Sequence, residues 1–350
     1  MVEIEPLRTT EQDNPLQALK IGAAILNYNG CALLLRTLSS LKASTRRPDA
    51  VCVVDNASTD GSAAAVREAH PDIHVIALPR NLGGPGINAG LEWLAGQGCA
   101  ALWKLDNDIE LDSRCVENME MAAQRQPLAI LSPVIYYADP PRKVWFAGGR
   151  IDWVEMRSDR HCEDAETFRR LPPREQFISG CAMWIPAEVY RAMGGYDPQL
   201  FLYSDDADYS VRAARRGFSL DVVPEARLVH LISASTGGEQ VFSPVRIYYG
   251  LRSALLFWRK HLGFWFFHRR WCRTYLGNWT GQLALWWEND ERRAGAEAIA
   301  DAIWYYLSLR LDPASRPSGP VWFRTLMHRR PWIVGALMAF DFQALLKRKG

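Results

Sequence analysis

The chain has no cysteine pair at the Cys-x-x-Cys spacing. Its seven cysteines, Cys31, Cys52, Cys99, Cys115, Cys162, Cys181 and Cys272, are odd in number and widely scattered. This argues against a disulfide framework and a cysteine-built zinc site, and it fits a reducing compartment. Nor does any apolar run approach the roughly 20 residues of a bilayer-spanning helix. The longest in the last third, Leu262 to Phe267 and Trp332 to Phe340, stop well short. The opening residues MVEIEPLRTTEQDNP carry acids and no apolar stretch, so no secretory signal of the usual kind is expected and they read as a polar lead-in, 1–20. A strong overall charge is also missing, the net being +2, and no nucleic-acid partner is expected.

That small net charge hides a division. Residues 240–350 hold 17 Lys and Arg against 7 Asp and Glu, a net +10, which leaves −8 for the residues before them. The same basic part carries nine of the fourteen tryptophans. Rings and cations together suit a lipid headgroup region, so peripheral docking on an anionic membrane is one expectation for 241–350, with Arg269, Arg270 and Arg273 as contacts. The other is that the tryptophans pack inside a helical bundle or a homo-oligomer interface. The expected location is cytoplasmic, at most peripheral on the inner face of the membrane.

Residues 21–136 alternate apolar runs with helix-like stretches: IGAAILN, ALLLRTLSSLKA, AVCVVD, SAAAVREAH, IHVIAL, INAGLEWLAGQ and AALWKLD. This alternation predicts an α/β fold with a mostly parallel sheet flanked by helices, its ligands beyond the carboxyl ends of the strands. Residues 137–176 are polar and read as a long loop or small excursion. The strand pattern returns from Phe177 to His230, including paired runs SLDVV and ARLVH, and the chain after about 240 reads as helical. A catalytic domain of 21–240 and a helical C-terminal region of 241–350 follow.

The chemistry-bearing residues fall at the ends of these runs. Asp55, at the mouth of the second strand, can accept from a nucleobase imide or a ribose hydroxyl, whereas Asp60 reads as a turn and cap residue. The turn Asn81-Leu82-Gly83-Gly84-Pro85-Gly86 can either cradle a diphosphate or pack helix on sheet. In Lys104-Leu105-Asp106-Asn107-Asp108 a strand ends in two carboxylates one residue apart, a pair suited to Mg2+ or Mn2+ against a diphosphate. His230, closing a strand, can complete the metal shell. The cluster Asp205-Asp206-Ala207-Asp208 opens a helix; crowding raises carboxylate pKa values and suits one of them to general-base work. Asp206 is the preferred base, with Asp205 beside it, and Asp208 reads as a helix salt bridge to Arg212.

In order along the chain, AILNYNG, VVDNASTDGS, NLGGPGINAG, LDND, ISGCAMWIPAEVYRAMGGYDPQLFLYSDDADYSVR and VH resemble the inverting family 2 glycosyltransferases of the GT-A fold. The likeness is to the bacterial rhamnosyltransferase and galactofuranosyltransferase branch and covers about residues 21–260. It implies transfer of a sugar from a dTDP- or UDP-sugar to a saccharide or lipid-linked acceptor. It also implies nucleobase contact by Asp55, ribose and metal-diphosphate contact by Asp106 and Asp108, a base at Asp206 and a metal ligand at His230. Asn27, Asn29, Asn81, Gly83, Lys104 and Asn107 are the further candidates for the nucleotide-sugar, and Trp184 joins Asp205 and Asp206 on the acceptor side. Three departures stand out: Asn107 where the galactofuranosyl branch has a third aspartate, Ser204-Asp205 where many relatives have an aromatic residue and a glutamate, and Ser253 where asparagine usually follows the tyrosine-arginine element. A sugar nucleotidyltransferase and a non-catalytic glycan or membrane-surface binder are the rival readings. The first should carry a basic, glycine-rich triphosphate loop where this chain has NYNG, and the second would not need both acidic clusters.

Overall fold

The computed structural model describes residues 18–159, 162–231, 243–263, 266–267, 286–308 and 312–329. Four strands, β1 (Ile21–Asn27), β2 (Ala50–Asp55), β3 (His74–Ala77) and β4 (Ala101–Asp106), pair in parallel in the order β3-β2-β1-β4. Those of the interior are apolar without alternation because both faces are covered. The covering helices are α1 (Cys31–Lys42), α2 (Ser62–Ala69), α3 (Asn88–Gly96) and α4 (Cys115–Arg125).

The remaining strands are β5 (Ile109–Leu111), β6 (Ile130–Tyr137), β7 (Val144–Phe146), β8 (Gly149–Asp152), β9 (Arg157–Asp159), β10 (Gln176–Phe177), β11 (Ala182–Pro186) and β12 (Leu220–His230). Past β4 the nine-stranded sheet continues β11-β6-β12-β5, with β7 on β6. β11 runs antiparallel to β4, while β6 and β12 are parallel. Of the long loop or small excursion expected over 137–176, the second is formed: β10-β8-β9 make a small sheet and α5 (Ala165–Arg169) lies beside it, with Phe146, Ile151, Phe168 and Phe177 buried. One expectation is revised. The two runs before His230 are one strand whose register shifts between Val223 and Arg227. Pro224 lies in that interval; it has no N–H for the ladder, which a bulge accommodates.

Trp184 on β11 sits opposite Trp103 on β4, the rings 5.6 Å apart, and both are fully buried. It is therefore core and offers no face to an acceptor. A wholly buried aromatic of this size stabilises by roughly 3 kcal/mol or more.

Beyond the sheet come α6 (Ala187–Met193), α7 (Asp205–Arg215), α8 (Pro244–Leu262), α9 (Asp290–Ser308) and α10 (Val321–Arg329). α8 shares the main core through Leu255, Phe257 and Trp258, the last two against Trp153. Trp258 is buried and Trp286, Trp287 and Trp304 pack partly buried against the same core, whereas Trp322 and Val321 are exposed. Most of the described C-terminal tryptophans thus do interior work. Arg269, Arg270 and Arg273 lie outside the described residues.

One buried carboxylate ties α7 to α8. Asp208 accepts from Arg212 Nε (2.8 Å) and from His261 Nε2 (2.8 Å), and Lys260 Nζ is 2.7 Å away. His261 Nδ1 is 2.9 Å from Arg215, so the imidazole is neutral with its proton on Nε2, as its burial also favours. Burial alone would raise the Asp208 carboxyl, but His261 and Lys260 hold it down to about 2. A depressed carboxyl stabilises the fold above its unfolded pKa, near 4, and loses that contribution as pH falls toward 2. Asp208→Ala is expected to destabilise by about 1–3 kcal/mol at pH 7, since it leaves the buried His261 Nε2–H without an acceptor and removes a charge partner from Arg212 and Lys260. In denaturant titrations the gap to wild type should narrow steadily between pH 4 and pH 2; a gap independent of pH would show that charge is not the cause.

Candidate active site

Parallel register brings the strand ends level, with Asn27 opposite Asp55 and Leu26 opposite Asp106. Asn27 is fully buried; its Nδ2 donates to Asp55 Oδ1 (3.3 Å) and Ser58 Oγ (3.2 Å), and its Oδ1 accepts from Asn107 Nδ2 (2.6 Å). Asp55 Oδ2 accepts the Ser58 N–H at 3.2 Å. Asn29, at φ +51°, holds the same two loops together by accepting the Thr59 N–H at 2.8 Å. Asn27, Asn29, Asp55 and Asn107 therefore form one hydrogen-bonded floor. Asp60 accepts from the N–H groups of Cys31 (2.9 Å) and Ser62 (3.1 Å), the expected turn and cap role.

The glycine-rich turn packs directly against the segment that opens the acidic helix. Asn81 Oδ1 accepts the Gly83 N–H (2.8 Å), and Asn56 brackets the turn through Leu82 N–H (2.8 Å) and Gly83 O (3.0 Å). Gly84 N–H donates to Phe201 O at 2.8 Å, so that donor serves the protein and not a phosphate. Gly83 adopts φ +68°, and a Cβ there would run into the Phe201 carbonyl; a Cβ on Gly84 would strike Asp205 Oδ2. Loop-to-loop packing is what the turn achieves.

Asp106, Cys181 and His230 offer ligand atoms all within 4.8 Å of one another. Asp108, 6% exposed, adds Oδ1 at 3.2 Å from His230 Nε2. His230 Nδ1 is buried with no hydrogen-bond partner, and Trp145 sets its ring edge-on to the imidazole at 4.5 Å. An imidazole with one nitrogen unsatisfied and the other against a carboxylate, in a group of three potential ligands, fits a centre completed by a divalent cation. Burial pushes the Asp106 carboxyl up even with Lys104 beside it, with Asp108 adding to the rise. Sequence reasoning missed Cys181 and Trp145. Cys181 lacks any local metal spacing, and Trp145 sits in the stretch read as loop.

Lys104 turns inward. Its Nζ bonds Asp106 Oδ1 (2.6 Å) and the Gly180 carbonyl, so it braces the site and does not reach outward for a ligand. On its far side lie Asp205 and Asp206. Asp206 Oδ2 accepts the Gly180 N–H (3.0 Å) and Oδ1 the Ala207 N–H (2.7 Å). Burial, then the charge of Asp206, pushes Asp205 up to about 7.

The sequence model of glycosyl transferase family 2 matches residues 23–194, the span that supplies every one of these strand ends except that of β12. Residues 23–194 are a glycosyl transferase family 2 domain. This glycosyltransferase is 27% identical over 236 residues to the N-acetylglucosaminyl-diphospho-decaprenol L-rhamnosyltransferase of Mycobacterium tuberculosis, covering 61% of this chain and 76% of that one. It is 29% identical over 213 residues to galactofuranosyltransferase GlfT1 of the same organism, covering 59% and 69%. The crystal structure of GalNAc-T7 with UDP, GalNAc and Mn2+ shares the GT-A fold with the transferase: TM-score 0.53, 18% identity, 71% of this chain and 50% of that one.

Gly83→Ala is expected to lower transfer at least tenfold and to cost more stability than Gly61→Ala. Both glycines have positive φ, worth about 1–3 kcal/mol when a side chain is forced there, but a Cβ at Gly61 meets nothing. Equal losses in melting temperature and turnover for the two variants would dismiss the Gly83–Phe201 contact.

Proposed function

We propose that the transferase is metal-dependent and inverting, moving a sugar from a dTDP- or UDP-sugar onto a saccharide or lipid-linked saccharide in bacterial glycan synthesis. The observation that carries this is the meeting of two acidic groups across Lys104: Asp106 and Asp108 with His230 on one side, Asp205 and Asp206 on the other. L-rhamnose is the first candidate, because the relative with the longer alignment is an L-rhamnosyltransferase, and galactofuranose is the second. Asp106, Asp108 and His230 would hold Mn2+ or Mg2+, which when bound neutralises the departing nucleoside diphosphate.

The protein's own residues do the rest. The floor of Asn27, Asn29, Asp55 and Asn107, with Asn81 and Gly83 at its edge, receives the nucleotide end of the donor; Asp55, 4% exposed, meets it through its rim only. The acceptor meets the site on the side of Asp205 and Asp206, at the start of α7. Asp206, aimed by two backbone N–H groups, draws the proton from the acceptor hydroxyl as that oxygen attacks the anomeric carbon from the face opposite the diphosphate. One displacement inverts the centre. Docking of α10 on anionic lipid would bring a lipid-linked acceptor close, and exposed Val321 and Trp322 support it. Among the described residues no helix is long and apolar enough to cross a membrane.

Release of nucleoside diphosphate from dTDP-rhamnose and UDP-galactofuranose, assayed with and without Mn2+, tests the reading. Chelator should abolish transfer, and Asp108→Ala should not be rescued by added metal, a loss of about a hundredfold or more. Full turnover in chelator would end the metal assignment.

The pH profile tests the acidic pair. Below about 7 Asp205 keeps its proton; above it the pair carries two negative charges able to take one. kcat/KM should therefore rise through a limb near pH 7. Asp205→Asn should shift that limb to lower pH, and Asp206→Asn should cost roughly a hundredfold or more in turnover while donor binding, followed by calorimetry, persists. A limb unmoved in Asp205→Asn would take the titration away from this pair.

A further inference from the structure

Antiparallel pairing of β11 with β4 does more than extend the sheet. Asp106 N–H donates to the Cys181 carbonyl at 2.9 Å, which sets the two residues side by side at the mouth of the strands. His230 arrives from β12, and the thiol, an Asp106 carboxylate oxygen and an imidazole nitrogen then fall within 4.8 Å of one another. Ligands on opposite sides of one ion are about 4 Å apart, so a small side-chain adjustment places all three on a single cation. The same imidazole has a second, buried nitrogen, Nδ1, that lacks a protein partner.

The position of Cys181 sets it apart from the other buried thiols. Burial pushes the Cys52 thiol up to about 12 and that of Cys115 well above its usual range. Those two are inert packing groups. Cys181 is buried as well, but beside a cation and two potential ligands.

We propose that Cys181 supplies a sulfur ligand to the cation held by Asp106 and His230, so that this centre takes cobalt, zinc or cadmium in preference to magnesium. The inference rests on the reading of Asp106, Asp108 and His230 as a metal centre. Mixed sulfur, nitrogen and oxygen donors bind softer divalent ions far more tightly than an all-oxygen set, while magnesium gains little from sulfur. Such a transferase would work with cobalt or manganese and bind adventitious zinc or cadmium tightly.

The test uses the full-length protein, stripped of metal and titrated with the ions alone. Co2+ should bind and produce a near-ultraviolet thiolate-to-cobalt charge-transfer band. Cys181→Ser should remove the band and weaken Cd2+ at least tenfold while changing Mg2+ affinity less than about twofold. Because a substitution in the core can disturb folding, the wild-type protein supplies a second measurement. Saturating Cd2+ should slow alkylation of Cys181, followed site by site by mass spectrometry, at least tenfold, and leave the partly exposed Cys31 unchanged. Co2+ binding without the band, and with unslowed alkylation, would overturn the sulfur ligand and leave the metal centre standing. Failure of Co2+ to bind at all would overturn both.

Discussion

A lysine ammonium withdrawn from water keeps its proton only where anions replace its hydration. Burial of Lys104 works against its charge, yet Asp106 and Asp205 outweigh that penalty and raise its pKa. The converse matters as much. Asp106 with Asp108, and Asp205 with Asp206, are two negative pairs brought toward one another by the fold, and without a cation between them their repulsion would open the site. Lys104 supplies that cation from the middle of β4, held to Asp106 and to the Gly180 carbonyl. Gly180 is part of the same constraint. A Cβ there would lie 3.2 Å from Lys104 Nζ and 3.3 Å from the Asp206 Cβ, while its N–H holds Asp206 in place.

The ends of the parallel strands were readable from the chain because their chemistry is local. A β-strand that stops in Asp-Asn-Asp or Asn-Tyr-Asn declares its carboxyl end, and parallel register then brings Asn27, Asp55 and Asp106 together. The antiparallel half was less readable, since its partners lie far apart in sequence. Nothing around Cys181 encodes its meeting with Asp106 and His230, which depends on β11 lying between β4 and β6. The absence of paired cysteines rules out a cysteine-rich metal knot, but it says nothing of a single thiol delivered by strand pairing. Trp184 failed in the opposite direction. Its place in a motif-rich segment suggested a site, but side chains alternate along a strand, and at that register position it faces Trp103 in the core.

The glycine-rich turn shows how one pattern admits two physical outcomes. Free N–H groups at a helix start can bind a diphosphate, and small residues can equally allow two backbones to touch. Here the second outcome is realised at Gly83 and Gly84, whose missing side chains admit the Phe201 carbonyl and the Asp205 carboxylate. The turn that borders the floor of Asn27, Asn29, Asp55 and Asn107 thus also fixes the segment that presents Asp205 and Asp206. Displacing one moves the other.

That segment needs support from elsewhere, because Tyr203 and Ser204 enter α7 at φ +67° and +61°, a conformation costly for residues with side chains. The support comes from α8. Arg252, fully buried between Tyr249 and Tyr305, donates to Gln199 O at 2.8 Å and to Pro313 O at 2.6 Å, and Ser253 Oγ donates to Leu202 O at 2.6 Å. Ser253 stands where the resemblance led one to expect asparagine, yet a hydroxyl is enough to reach the Leu202 carbonyl. The Asp208 knot anchors the first turn of α7 to the end of α8. Strained backbone persists only where its surroundings over-determine it, and here those surroundings are C-terminal helices whose composition admitted either a membrane surface or a packed bundle. The basic, aromatic region is therefore continuous with the candidate site: its arginine and tyrosines hold the loop from which the acidic pair is presented, whatever its outer face meets.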